Sequence, residues 1–515
     1  MSVSWRPFDL LATELLELVF SNLDARNIVC ATSICRRFAR TIRSSSRLQY
    51  QIELELEGLA EDPLYPAIAL PDRIQHLARY KRCWNELQFP TDNRTFHGTA
   101  ERDCFPAGRW FVDRDVEESA VRIVDMSTAC GDVHELEWRE MKLDGAFKHY
   151  STIALHGLDM LIVMGVARRI DADHLVPKVS LLHAATFGPH PLVEKHELEW
   201  PEAAGTTGSV NWGSMGLCGR SLAVTLRDRR TCVVWDWLLG KQLLAYELKP
   251  PRDRVAVGNW LLLAERTFCW TEHEHGGLVV LVVRGFDENG NVSNIGRWSF
   301  PPLAAKAFVG EVHLTTDDAD EIEACHRLSS RYPFATDGAD SVVALTISSF
   351  IPQGSGTPRE TAWTFYALRS TFLAVQPNDD IVPWSQWGRE NTRCIPGDAH
   401  CIRGCRAVHG LYINERRSKT SVLSFLPLAS RRAAHPPSAT SVLYPDHRMQ
   451  ERPRTLAPTV IEQPRMFKDP VETALPYLDA KPEGMPPYTA ATSWEDGRVV
   501  WSSILDPQTT YVATL

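Results

Sequence analysis

One short stretch in the last quarter of the chain carries residue types that bind metals: Cys394, His400, Cys401, Cys405 and His409. Thiolates and imidazoles are the ligands that zinc prefers in proteins. The cysteines are seven and four residues apart, however, and a zinc knuckle uses the spacing C-x₂-C. The sequence therefore favours buried cysteines in a pair of strands, with a metal site as the less favoured alternative.

Catalytic motifs do not appear elsewhere in the sequence. His273 and His275 flank a predicted turn, but neither belongs to an H-E-x-x-H motif. The sequence contains no G-x-S-x-G, no phosphate-binding P-loop and no G-x-G-x-x-G after a strand-like run. We therefore expect no metal, no cofactor and no catalytic residues in this chain.

Arginine clusters are the remaining candidates for direct recognition. In RDRR (227–230), Arg227, Arg229 and Arg230 join two strand-like runs and could accept a phosphate or an acidic peptide. A solvated turn is the favoured interpretation there, and equally for NERRSK (414–419). A further set of arginines follows helical spacing: Arg36, Arg40, Arg43 and Arg47. We interpret it as a solvated face, or as a face that attracts an acidic partner, rather than as a nucleic-acid site.

Composition limits the class of protein. The 515 residues suffice for about three domains, or for one large and one small domain. A net charge of −9 argues against nucleic-acid binding driven by charge. No signal peptide is visible, and no apolar run reaches the ~20 residues of a membrane span. Twelve scattered cysteines are typical of reduced thiols, so we expect a cytoplasmic or nuclear protein without a membrane partner.

Residues 8–90 are predicted to be helical, and the first helix is unusually apolar. It carries two apolar stripes, one of Leu11, Leu15, Leu18 and Val19 and one of Leu16, Phe20 and Leu23. Together they cover roughly 200° of the helix, whereas a surface helix needs a stripe of about 100°. One stripe is expected to face the protein's own core, and the other is free to face a second polypeptide.

The helices that follow have their own signals. Asp24 is a good cap for a second helix, and ICRRFARTI forms a third. LQYQIELELEGL fits a strand or a helix, and helix is favoured because glutamate and leucine form helices well and Gly58 suits the end. Another helix begins near Pro71.

The segment LATELLELVFSNLD, followed by ARNIVCATS and ICRRFARTI, resembles an F-box. That family has a proline where this chain has Ala12 and a tryptophan where it has Phe38. The resemblance implies that the helices bind the adaptor subunit of SCF-type cullin–RING ubiquitin ligases. The residues expected to form the F-box core and adaptor interface are Leu11, Leu15, Leu16, Val19, Phe20, Leu23, Ile28, Cys35 and Phe38.

From about residue 91 the apolar period changes to that of short strands separated by turns. HELEW occurs at 134–138 and at 196–200, and groups of strand-like runs recur every ~50–60 residues. Such a repeat predicts an irregular β-propeller, with seven blades favoured and six possible. Blades are expected near 105–140, 145–200, 208–248, 254–300, 307–376 and 395–430. The last blade is expected to pair the C-terminal strands with residues 91–104.

The predicted organisation is thus an F-box at 8–46, linking helices at 47–90, and an all-β propeller at 91–515 with a proline-rich insertion at about 428–487. It resembles a large set of fungal, mainly basidiomycete, F-box proteins. The implied function is a non-catalytic substrate receptor of an SCF ubiquitin ligase, with an unknown protein substrate. Two alternatives stay open, namely a non-degradative F-box scaffold and, less favoured, a propeller enzyme.

Overall fold

The structure is a computed structural model that describes most of the chain. The described residues are 11–61, 68–86, 94–97, 103–107, 110–115, 120–125, 139–142, 148–155, 160–168, 175–200, 212–226, 231–247, 254–256, 260–274, 277–304, 307–316, 334–336, 341–351, 359–376, 380–403, 406–413, 417–425, 454–455, 457–463, 466–480, 489–495, 498–503 and 509–514.

The chain begins with five helices, as the sequence predicts: α1 (Thr13–Phe20), α2 (Ala25–Ala31), α3 (Arg36–Ser44), α4 (Ser46–Leu56) and α5 (Leu70–Glu86). None of the helices among the described residues is both long enough and apolar enough to span a bilayer.

Local chemistry sets the ends of these helices. The Asn27 N–H donates to Asp24 Oδ1 at 2.7 Å, so Asp24 caps α2 as predicted. The Leu48 N–H donates to Ser45 Oγ at 3.4 Å at the start of α4. Gly58 follows α4 with φ +65°, a left-handed conformation that glycine adopts without strain. The segment LQYQIELELEGL, which by sequence fits a strand or a helix, is therefore helical, with a capping serine before it and a glycine at its end.

Strands dominate the rest of the chain. The first eighteen are β1 (Leu59–Glu61), β2 (Arg94–His97), β3 (Asp103–Ala107), β4 (Trp110–Asp115), β5 (Ala120–Asp125), β6 (Arg139–Lys142), β7 (Lys148–Leu155), β8 (Met160–Arg168), β9 (Leu175–His183), β10 (Glu197–Glu199), β11 (Trp212–Cys218), β12 (Ser221–Leu226), β13 (Thr231–Asp236), β14 (Lys241–Glu247), β15 (Arg254–Ala256), β16 (Leu261–Ala264), β17 (Thr267–Glu274) and β18 (Val279–Phe286).

The second half adds two short helices, α6 (Arg369–Leu373) and α7 (Trp384–Asn391). Its strands are β19 (Val292–Ser299), β20 (Phe308–Thr316), β21 (Phe334–Thr336), β22 (Val342–Ile351), β23 (Arg359–Leu368), β24 (Ile381–Val382), β25 (Thr392–Pro396), β26 (Asp398–Arg403), β27 (Arg406–Ile413), β28 (Arg417–Ser424), β29 (Arg454–Thr455), β30 (Thr459–Ile461), β31 (Val471–Thr473), β32 (Tyr477–Ala480), β33 (Thr489–Glu495), β34 (Arg498–Ser503) and β35 (Thr509–Thr514).

Among the described residues, the strands form seven sheets of four strands or more. In chain order, we number them sheet 1 (β3–β6), sheet 2 (β7–β10), sheet 3 (β11–β14), sheet 4 (β15–β19 with β24), sheet 5 (β20, β22, β23 and β25), sheet 6 (β26–β29 and β32) and sheet 7 (β33–β35 with β2). Two further pairs are β1 with β21 and β30 with β31.

The order of these strands is that of a β-propeller. In sheets 1 to 3 each strand pairs antiparallel with the next along the chain. Sheet 7 joins the two ends of the β region, because Arg94–His97 pairs antiparallel with Thr509–Val512. Successive antiparallel sheets joined by a strand from the other end of the region are the topology of a propeller. The predicted all-β fold is confirmed, and the number of blades stays a prediction.

The interior lies between neighbouring sheets. Successive side chains of a strand point to opposite faces. In β13, Val233 lies in one apolar cluster with Ile162 of sheet 2, and Val234 lies in another with Val282 of sheet 4. β12 and β13 are therefore buried on both faces, which explains why they read as apolar runs, whereas β14 at the edge is mostly exposed.

The predicted proline-rich insertion is not a plain surface loop. Between residues 454 and 480 it contains four strands, and β32 pairs with β28 as part of sheet 6. The segment also holds Arg393 of β25, whose Nε–H donates to the Leu475 carbonyl at 2.8 Å. Apolar residues of this stretch, such as Phe467, lie in one apolar cluster with residues of sheets 4 and 5. The described part of the insertion is therefore packed into the β region, and its bounds stay a prediction.

The helical part is tied to the β region by one strand pair. β1, which follows α4, pairs antiparallel with β21, which lies between β20 and β22 of sheet 5. The α4 and α5 helices are joined by an ion pair between Glu53 and Lys81, both largely buried. Within the described residues, the β1–β21 pair thus connects the first helices to the chain segment between β20 and β22.

Candidate protein-binding surface

Helix α1 is apolar on two sides, and only one of them is buried. Leu16 and Phe20 are 0% and 4% exposed, whereas Leu15, Leu18 and Val19 are 49%, 56% and 46% exposed. The two predicted stripes are therefore real and differ in their surroundings.

The buried side is covered by α3. The rings of Phe20 and Phe38 meet edge to face, with centroids 5.1 Å apart. Leu16 and Ile28 lie in the same apolar cluster, which also includes Ile42. This small interior forms without the outer stripe of α1, and in the described helices Leu15, Leu18 and Val19 stay about half exposed.

Two more large apolar side chains extend the uncovered surface. Val29 of α2 is 50% exposed, although its neighbour Ile28 is fully buried, and Ile34 in the turn before α3 is 70% exposed. We call Leu15, Leu18, Val19, Val29 and Ile34 the exposed apolar set. They lie within 20 residues of chain and are held by a bundle with its own interior, which is the arrangement expected of a protein-binding surface.

Hydrogen bonds fix the helices that carry the exposed apolar set. The Ala25 N–H, at the start of α2, donates to Glu55 Oε2 of α4 at 2.6 Å. The Gln51 Nε2–H donates to the Leu23 carbonyl at 2.7 Å. Both bonds attach the turn between α1 and α2 to α4, so the surface is positioned before any partner arrives.

Residues 8–50 match the F-box domain. The N-terminal helices are an F-box. Among curated proteins, none matches this chain.

Several solved structures resemble the chain at low identity. The WD40 domain of SCAP from fission yeast is 8% identical, with a TM-score of 0.33, covering 80% of this chain and 81% of that one. The β-propeller domain of Cps50 (Swd1) from Myceliophteria thermophila is 10% identical, with a TM-score of 0.26, covering 72% and 97%. A eukaryotic initiation factor is 7% identical, with a TM-score of 0.29, and this chain spans 59% of it while 61% of this chain is covered. The propeller assignment rests on the strand pairing and not on these scores.

The nine F-box residues singled out from the sequence fall into three groups. Leu15, Val19 and Cys35 are exposed, and Leu11 and Leu23 are half-buried. The other four are buried inside the F-box: Leu16, Phe20, Ile28 and Phe38. These four therefore belong to the core part of the expected core and interface, and a role of the nine residues in adaptor binding stays a prediction.

Sequence reasoning left Leu18, Val29 and Ile34 out of the predicted site. Leu18 was visible as a member of the outer stripe. Val29 is next to the predicted core residue Ile28, and adjacent side chains of a helix point about 100° apart, so Val29 points to the flank when Ile28 points inward. That pair was the available signal for Val29, and the turn residue Ile34 had none.

Both departures from the F-box pattern are accommodated. Phe38, in place of tryptophan, is buried and fills the interior of the bundle. Ala12, in place of proline, precedes α1 without a side-chain cap, but its carbonyl accepts from the N–H groups of Leu15 and Leu16 at 3.1 Å each. An Arg37 guanidinium N–H donates to the Leu11 carbonyl and secures the same end of α1.

The remaining candidate sites are an arginine cluster and a group of cysteines and histidines, both in the β region. Arg227, Arg229 and Arg230 lie outside the described residues, and the strands on either side of them pair with Leu226 opposite Thr231. Cys394 is buried in β25, which raises the pKa of its thiol well above the ordinary value. Across the residues that the structure describes, no group of three or more possible metal ligands occurs.

Proposed function

We propose that this chain is the substrate receptor of an SCF-type cullin–RING ubiquitin ligase. Its F-box binds the adaptor subunit, and its propeller binds a protein substrate. The chain does no chemistry itself, and it brings the substrate close to the ubiquitin-charged enzyme, which raises the effective concentration. The supporting observation is the exposed apolar set on an F-box whose own interior is already filled.

The energetics favour a partner for this surface. Full burial of a leucine, isoleucine or valine side chain contributes about 1.5–3 kcal/mol. The members of the exposed apolar set retain roughly half of their surface in water. Covering all five would therefore contribute on the order of 5 kcal/mol before other terms. Exposure of these five side chains to water destabilises the free protein, and covering them stabilises a complex.

The substrate is proposed to bind the propeller at the end away from the F-box. β21 lies in the connection between the first and second strands of sheet 5. Residues 227–230 connect the second and third strands of sheet 3. In an up-and-down sheet these two kinds of connection lie at opposite ends. Arg227, Arg229 and Arg230 stay weak candidates for contacting the substrate.

The test is capture of purified adaptor by the full-length chain. The variant Leu15→Asp with Val19→Asp places two charges in the interface, and we expect affinity to fall by about 100-fold or more. The matched control is Leu192→Asp with Leu239→Asp, since these two are also exposed apolar residues but lie in the β region. The control should bind like the wild type.

Three results would contradict the proposal. Equal capture by both variants would remove the F-box surface from adaptor binding. A complex of the wild type with the adaptor that does not bind added cullin would favour the scaffold alternative. Failure of the wild type to bind the adaptor would overturn the proposal altogether.

A further inference from the structure

The outer side of α3 is made of arginines. Phe38 and Ile42 of this helix are buried in the F-box, whereas Arg36, Arg40 and Arg43 are exposed. At about 100° per residue, the three arginines point roughly 140–200° away from Phe38. We call them the arginine face, and it lies on the side of α3 opposite to the interior.

The arginine face points away from the α1 part of the exposed apolar set. The rings of Phe20 and Phe38, with centroids 5.1 Å apart, put α3 against the inner side of α1. Leu15 and Val19 lie on the other, exposed side of α1. Packed helices have axes about 8–10 Å apart and diameters of about 10–12 Å, so roughly 20 Å separates the two surfaces. This distance exceeds the screening length of about 8 Å at physiological salt, so the arginines act little on a partner bound at α1.

The arginine face has no acidic counterpart in the part of the chain that the structure describes. No ion pair or hydrogen bond of its three guanidinium groups occurs there. Between Asp24 and Glu53 the sequence has six arginines and neither an aspartate nor a glutamate. Elsewhere the chain does pair an arginine, since Arg73 meets Glu61 at 2.6 Å.

This basic segment is a local exception in an acidic chain. The whole chain has a net charge of −9. Like charges three and four residues apart weaken a helix, so the arginines do not stabilise α3. Arg47, which the sequence places on the same stripe, lies instead in α4 because α3 ends at Ser44. Repulsion within the arginine face is relieved when an anion from outside binds it.

The chemistry of the segment indicates which anion fits. All six of its basic residues are arginines. The planar guanidinium group donates two parallel N–H bonds to a carboxylate or a phosphate, which an ammonium group cannot do. Arginine clusters recognise acidic and phosphorylated protein segments. Nucleic acid fits less well, because three arginines contact few phosphates and the chain as a whole repels a polyanion.

We infer that the arginine face binds an acidic segment of a second partner protein. The anionic oxygens come from carboxylates or from phosphoserine, which are the two sources of the same chemistry. Because the arginine face and the exposed side of α1 are on different sides of the F-box, this partner and one at α1 bind together. The inference goes beyond the proposed function and holds whether or not the partner at α1 is the adaptor.

The experiment measures fluorescence anisotropy of labelled peptides with the full-length chain at 50 mM and 300 mM NaCl. One peptide has glutamate at alternate positions, a second has phosphoserine there, and a neutral third has glutamine. The test variant combines Arg36→Gln, Arg40→Gln and Arg43→Gln. The matched control removes the same charge from exposed arginines of the β region: Arg139→Gln, Arg266→Gln and Arg389→Gln. Circular dichroism of both variants should match the wild type.

We expect the test variant to bind the acidic peptides at least about tenfold more weakly than the wild type at 50 mM NaCl, because three charge-assisted contacts are lost. The control should stay within about twofold. Wild-type binding should weaken by about tenfold at 300 mM, and the neutral peptide should not bind. Binding of only one acidic peptide would identify carboxylate or phosphate as the source and support the inference.

Two further measurements test the separation of the surfaces. The variant Leu15→Asp with Val19→Asp should bind the acidic peptides like the wild type, and the arginine test variant should capture the adaptor within about threefold of it. Loss of adaptor by the test variant would overturn the inference, because the arginines would then belong to the adaptor interface. A wild type that binds the peptides but not the adaptor would overturn only the proposed function.

Two other results would also overturn the inference. One is a wild type that binds neither acidic peptide at 50 mM NaCl, or test and control variants that bind them equally. The other concerns a single-stranded RNA of about 30 nucleotides. RNA binding that is tighter than peptide binding, and that the test variant loses while the control keeps it, would assign the arginine face to nucleic acid.

Discussion

The F-box and the β region differ in how completely they bury their large apolar side chains. Among the described residues, nine large apolar side chains are exposed, and five of them lie between residues 15 and 34. The four in the much longer β region are far apart in the sequence: Leu192, Leu239, Val375 and Val460. The sheets cover one another on both faces, whereas the F-box helices cover only one side of α1. The comparison indicates that the F-box leaves more of its apolar surface uncovered by its own chain than the described β region does.

Thiol reactivity should show the largest contrast between the two regions. Cys30 and Cys35 of the F-box are exposed, whereas Cys232, Cys269 and Cys394 are buried in the sheets. Burial raises the pKa of these three thiols, so they hold little of the reactive thiolate. Iodoacetamide should label the two F-box cysteines at least about 100-fold faster in the native chain. Mass spectrometry of the labelled peptides measures the rates.

Labelling in urea is the control for that experiment, because all of these cysteines should then react alike. Equal rates in the native chain would mean that the sheets open as easily as the F-box surface, and the comparison would fail.

Removing a buried charge partner should have the next largest effect. Lys81→Met removes a largely buried cation that pairs with two carboxylates of the α4 end, those of Glu53 and Glu57. The expected loss is about 3–5 kcal/mol in the free energy of local opening of α4 and α5. Hydrogen exchange of peptides from 46–61 and 70–81 measures it. Adding Glu53→Leu should restore most of the protection, and a double variant as unprotected as the single one would show that the pair is not the cause.

Two adjacent leucines of α1 separate the inner from the outer side. Leu16→Ala should lower the free energy of local opening of the F-box by about 2–5 kcal/mol, because it empties the interior. Leu15→Ala should change it by less than about 0.5 kcal/mol. Hydrogen exchange over residues 13–44 measures both variants. Similar losses in the two would mean that the outer stripe is also packed within the chain.

The smallest effect is expected at the exposed apolar residues of the β region. Val375→Ser and Val460→Ser should change stability by less than about 0.5 kcal/mol and leave adaptor binding unchanged. Thermal denaturation and adaptor capture measure the two quantities. A clear loss of adaptor binding in either variant would extend the binding surface into the propeller.

Local patterns predicted most of the fold. The helix period of the first segment and the caps at Asp24 and Ser45 determine the five helices, and the recurring strand groups determine the sheets. The two faces of β13 explain why the period-2 signal was weak, since Val233 and Val234 are both buried. The place of β32 in sheet 6 could not be predicted, because its partner is Val422–Ser424 of β28, on the other side of the proline-rich stretch.

The sequence predicts that the candidate binding surface exists but not which residues form it. The sequence shows that α1 has two apolar stripes, and their composition is too similar to say which one is buried. Contacts with Phe38 and Ile42, made through tertiary packing, decide that Leu16 and Phe20 face inward. The exposure of Ile34 depends on the turn between α2 and α3, which no periodic pattern specifies.

The pairing of β2 with β35 sets an order of events during synthesis. Residues 94–97 leave the ribosome early but must wait for residues 509–512 before their sheet can form. The F-box, which needs nothing beyond α4 for its interior, has all its parts more than 400 residues sooner. A nascent chain can therefore complete the F-box before sheet 7 can form, and a frameshift that removes β35 would leave Arg94–His97 without the strand it pairs with.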